Sequence, residues 1–74
     1  MTLAEVKKGE KVRITALRSD TKTLSAFTRV GLKTGMVLSV MNIAPFGSPI
    51  EIKIGNFRLA IAKREAAFIT VEYV

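Results

Sequence analysis

The stretch IEIKIGNFRLAI, residues 50–61, carries the most explicit structural instruction in the chain. Apolar side chains alternate on both sides of Gly55-Asn56, a two-residue turn of the kind that joins hairpin arms. Pairing across that turn predicts Ile54 opposite Phe57, Ile52 opposite Leu59 and Ile50 opposite Ile61. All six apolar side chains then share one face. A slip of one residue would send one arm's set to the wrong side, so the pattern selects its own register. The other face carries Lys53 opposite Arg58. Like charges directly opposite are mildly destabilising. Such a pair is either a solvated accident or a place where an anionic group docks.

Working outward, MVLSVMNIA (36–44) is a strand rich in Val, Leu and Ile. APFGSP (44–49) links it to the hairpin: Pro45 and Pro49 stiffen a reversal, and Gly47 lies between them. Neither role explains the large apolar ring of Phe46. Nearer the start, Val12, Ile14 and Ala16 alternate with Arg13 and Thr15, the mark of a half-buried strand. Between Arg18 and Gly31 the period changes. Leu24, Phe27 and Val30 recur every three residues, which predicts a short helix. Asp20 or Thr21 can cap its start, and Gly31 suits the left-handed residue past its end, with Phe27 and Leu32 meeting across the cap. LKTG (32–35) reads as a turn with Gly35 at its last position. Thr2 and Glu5 have capping-box spacing for one turn at the start. KREAA (63–67) allows another such turn, and FITVEY (68–73) is a closing strand with Ile69, Val71 and Tyr73 on one face. About five antiparallel strands with a short helix after the first predict a mainly β, small, partly open barrel.

Seventy-four residues make one domain, residues 1–74. With 49% hydrophobic residues the chain has material for a core without external staples. It has no Cys and no His. That removes disulfides, thiolate metal sites, the commonest transition-metal ligand and the usual neutral-pH base. The six carboxylates, Glu5, Glu10, Asp20, Glu51, Glu65 and Glu72, show no catalytic or hard-ion spacing. The serines lack an activating His, and the glycines match neither phosphate-loop nor dinucleotide spacing. We therefore expect no enzyme, no cofactor and no tight metal site. Met36 and Met41 read as core fillers. A net charge of +6, spread along the chain, favours anionic partners. No apolar run has the length of a membrane span, and MTLAEVKKGEK lacks a signal peptide's apolar centre. The expectation is a cytoplasmic protein. The pattern places Phe27, Phe57, Phe68 or its neighbours, and Tyr73 inward and only Phe46 outward, so single-strand stacking has little support.

The run TLAEVKKGEKVRI, then LSAFTRVGLKTGMVLSV, then APFGSPIEIKIGNFRLAIAKREAAFITVE resembles the ferrous iron transport protein A (FeoA) family over essentially the whole chain. The order RVGLKTG, APxGxPIxI and FRLA is its most specific part. The family often has Asp where this chain has Ser48 and Pro where it has Thr34. The resemblance implies an SH3-like barrel with the helix inserted after the first strand. It also implies a small cytoplasmic accessory protein that works with the FeoB-type membrane transporter and its cytosolic G-protein domain. On this reading Pro45, Phe46, Gly47 and Pro49 are the candidate contact loop, with Leu32 and Lys33 at the helix end as a second candidate. The alternative is a basic barrel that binds nucleic acid through Lys53 and Arg58.

Overall fold

The computed structural model describes residues 1–18 and 21–74, and of residues 21–24 the backbone alone. A 3-10 turn (Leu3–Glu5) leads into β1 (Lys11–Leu17), α1 (Thr21–Arg29), β2 (Val37–Ile43), β3 (Ile50–Ile54), β4 (Phe57–Ile61), α2 (Lys63–Ala66) and β5 (Ile69–Tyr73). The strands form one antiparallel sheet in the order β4-β3-β2-β1-β5. The first four strands meander. The fifth crosses back to pair with β1, so β4 and β5 are the two edges.

The hairpin forms in the expected register: Ile50↔Ile61, Ile52↔Leu59, Lys53↔Arg58 and Ile54↔Phe57. Gly55 has φ +59° and Asn56 has no positive φ, the pattern of a turn whose first central residue is left-handed. Bulges between Ile14 and Ala16 and between Val40 and Asn42 break the ladders of β1 and β2. A bulge bends its strand and increases the local twist, and here the sheet curls so that every strand contributes to one core. Val12 and Ile14, Leu38 and Val40, Ile50 and Ile52, Ile61, and Ile69 and Val71 are all buried together. Leu3 and Val6 join them, with Ala66 from α2. Glu5 holds the 3-10 turn by accepting from the Thr2 backbone N–H at 3.5 Å, as the capping-box spacing predicts.

The end of α1 also follows the sequence. Leu32 N–H donates to Phe27 C=O at 3.0 Å, and Gly31 N–H to Thr28 C=O at 3.0 Å. These are the two bonds of a Schellman cap, with Gly31 at φ +90° and Phe27 and Leu32 both buried. The proposed caps at the other end, Asp20 and the Thr21 side chain, lie outside the described residues, as does the Leu24 side chain.

Three readings need correction. The turn after the helix sits one residue later: Met36 N–H donates to Lys33 C=O, with Gly35 at φ +96°. That places Gly35 at the third position of a type II turn, where a positive φ is required, not at the end of a type I turn. Val30 belongs to the helical repeat but is 44% exposed, beyond the edge of the core. Phe57, Phe68 and Tyr73, expected inward, are 50%, 43% and 55% exposed. Phe57 and Tyr73 lie at ends of edge strands, where alternation continues but no facing layer remains; Phe68 lies in the turn before β5, out of phase with the buried Ile69.

Ile52 has no exposed surface, so Ile52→Ala should lower unfolding free energy by about 2–5 kcal/mol. Gly31→Ala forces a Cβ into left-handed backbone and should cost about 1–2 kcal/mol. Urea unfolding followed by circular dichroism checks both.

Candidate partner-binding loop

The loop between β2 and β3 is tied at three points. Gly47 N–H donates to Ala44 C=O at 2.8 Å, Ala44 N–H to Pro49 C=O at 3.2 Å, and Lys63 N–H to the Ser48 Oγ at 3.1 Å. The first bond closes a β-turn with Pro45 and Phe46 in the centre. Phe46 has no positive φ, which makes the turn type I, the type that favours Pro at its second position and Gly at its fourth. Gly47 itself has φ +85°, and a Cβ added there would meet the Lys63 side chain at 3.5 Å. The Ser48–Pro49 peptide is cis.

Local chemistry thus accounts for Pro45 and Gly47, and the bond from α2 accounts for Ser48. Nothing in the fold accounts for Phe46, whose ring is 96% exposed at the tip. Most isolated surface apolar residues need no explanation, but a nearly bare phenylalanine on an anchored turn is different. Its backbone is already ordered, and the Lys63 side chain lies beside the next residue, Gly47.

The second candidate separates into two unlike residues. Leu32 is 2% exposed and belongs to the core beneath the Schellman cap, so it offers no surface to a partner. The cap that predicted its helix end also buries it. Leu32 forms part of the floor of an apolar groove of about 120 Å³ between the end of α1 and β4, where Val30, Leu59 and Ala60 also lie. Lys33 is exposed in the following turn.

Lys53 and Arg58 face each other in register on the outer surface but do different things. The Arg58 guanidinium turns to the Glu51 carboxylate at 3.6 Å. Lys53 instead lines a polar recess of about 320 Å³ with Lys11, Ser39, Val37 and Gly55. Lys11 and Ser39 were not legible as site residues in the sequence. They come beside Lys53 only because Lys11 pairs with Ser39 and Ser39 with Lys53 across three strands. Among the described residues no group of three or more acidic, His or Cys side chains is arranged to hold a metal ion, and no helix is long and apolar enough to cross a membrane.

Comparison with known proteins adds to this geometry. A search of curated proteins finds no match. Among solved structures, the chain is similar to a FeoA protein from Chlorobium tepidum, with a TM-score of 0.90 and 31% identity over all of this chain and 70% of that one. It is also similar to an iron(II) transport protein A from Clostridium thermocellum, with a TM-score of 0.93 and 34% identity over all of this chain and 46% of that one. A Stenotrophomonas maltophilia FeoA, described as an SH3 domain protein complexed with zinc, shares the fold at a TM-score of 0.83 and 20% identity, over 97% of this chain and 89% of that one. The five-stranded curled sheet with its inserted helix is therefore SH3-like. The FeoA domain model matches residues 1–73, and the chain belongs to the FeoA family.

Proposed function

We propose that this protein is a non-catalytic cytoplasmic accessory module for ferrous iron uptake, which docks on the cytosolic part of a FeoB-type transporter through the loop 45–49. Family membership supports the link to ferrous iron transport. The Stenotrophomonas relative is described as possibly acting as a ferrous iron transport activating factor, which supports an accessory role.

The observation that carries the contact is Phe46, 96% exposed on a turn that the backbone already holds. Aromatic rings that fill a partner's pocket concentrate binding energy, and a preordered loop loses little entropy on docking. Lys63 beside Gly47 adds a charge at the rim. The complementary surface is thus an apolar pocket flanked by carboxylates. Pro45, Gly47 and Pro49 shape and stiffen the turn, and Lys33 lies in a separate exposed turn. One loop alone covers less than the roughly 800 Å² per partner of a standard interface, so the contact is a transient one.

Phe46→Ala should weaken binding to the purified cytosolic portion of the transporter by about tenfold or more, the loss expected for a central anchor. As an exposed substitution it should change stability by no more than about 0.5 kcal/mol, leaving the thermal midpoint within about 4 °C. Titration calorimetry and a melting curve read the two effects. Unchanged affinity, or a midpoint that falls sharply, would refute the role of the loop.

A further inference from the structure

The recess between β1, β2 and β3 has a composition unlike the rest of the outer surface. Lys11 and Lys53 stand on either side of Ser39, one strand away in each direction. Neighbouring strands are about 4.8 Å apart, so the two lysine backbones are about 10 Å apart. Two flexible side chains from that separation can converge on one group above Ser39. Val37 forms an apolar part of the wall, and Gly55 at the hairpin end contributes no side chain to close the mouth. A Cβ built on Gly55 would meet nothing within 4 Å.

Charge defines the recess more sharply than shape. Among the described residues, neither lysine ammonium has a carboxylate partner, although Lys53 is only partly exposed and faces Arg58. The cations on both flanks are paired. Arg13 meets Glu72 at 3.9 Å on the β5 side, and Arg58 meets Glu51 at 3.6 Å on the β4 side. Across these strands the paired arginines bracket the two unpaired lysines, so the recess is not one step in a continuous row of free cations along the sheet. A polyanion such as nucleic acid needs a row of cations along its backbone. A single compact anion needs two or three convergent donors, and here two ammonium groups and one hydroxyl are available. Lysine is a compact point charge suited to phosphate without the planar fork that arginine brings to carboxylates.

We propose that the recess lined by Lys11, Ser39 and Lys53 is a binding site for one phosphate group. The group belongs either to a soluble phosphate compound or to a lipid headgroup. The site is built on three paired strands, apart from the loop 45–49, and does not depend on the role of that loop.

The test is a titration of the intact protein with inorganic phosphate and with tripolyphosphate at low salt, followed by amide chemical shifts. Sedimentation with phosphatidic acid vesicles forms a second arm. Shifts should saturate and centre on Ser39, Lys53 and Gly55. Lys53→Gln should weaken binding by about tenfold, as expected for loss of one hydrogen bond to a charged group, and Lys11→Gln should do likewise. Lys33→Gln removes the same charge elsewhere and should change affinity less than about twofold, since a distant exposed charge is largely screened. Vesicle binding that Lys53→Gln abolishes assigns the phosphate to lipid, and binding of the soluble compounds alone assigns it to a free ligand. Shifts scattered over the surface, equal losses in all three variants, or no binding in either arm would overturn the site. So would duplex DNA binding to which every basic residue contributes equally.

Discussion

Ile50 and Ile52 reach the centre of the core from a strand whose two neighbours are both hydrogen-bonded to it, and the pairing with β4 admits one register. Register and burial support each other here. Moving β3 by one residue would place Glu51 and Lys53 in the core and the isoleucines in water, a penalty far beyond the few kcal/mol that stabilise a small domain. Once that hairpin is placed, β2 must bury Leu38 and Val40 against the same core. The bulge at Met41 then lets the end of β2 swing toward the loop that precedes β3.

The same register also builds the outer surface. Residues two apart on a strand share a face, so fixing Ile52 inward fixes Lys53 outward, with Ser39 and Lys11 in line beside it. Glu51 and Arg58 meet diagonally on that face, as do Arg13 and Glu72 directly across β1 and β5. These exposed pairs contribute little to stability. Their larger effect is on the local field: they neutralise the two arginines flanking the recess, whereas among the described residues Lys11 and Lys53 have no carboxylate partner. The loop 45–49 is set by different means, a local type I turn and a side-chain bond from the start of α2. The loop 45–49 and the cation recess are thus independent features of one fold.

The aromatic residues show where pattern reading stops. Phe27, Phe57 and Tyr73 all fit an inward phase, yet only Phe27 is buried among them. Phe27 sits on a helix closed by a Schellman cap and pressed against the sheet. Phe57 and Tyr73 sit at the outer ends of edge strands, and the Tyr73 hydroxyl donates to Glu10 at 3.2 Å instead of entering the core. Alternation specifies which way a side chain points, but not whether anything lies there to cover it. Leu32 shows the converse, since a residue read as a surface at the helix end is sealed beneath it.

The sequence by itself determined the hairpin register, the helix and its glycine cap, the short capping-box turn, and the inward phase of β1, of the hairpin arms and of β5. These depend on contacts among residues close in the chain or on a simple two-residue period, so local chemistry suffices. It also excluded chemistry based on Cys or His outright. The tertiary structure alone decided that Phe46 stands clear of the barrel, that Leu32 does not, and that Arg58 leaves Lys53 for Glu51. It alone placed Lys11 beside Lys53, two residues far apart in the chain that share a recess because β2 lies between their strands. Such neighbours follow from strand order and curvature, which sum weak preferences over the whole chain and leave no mark at the positions they bring together.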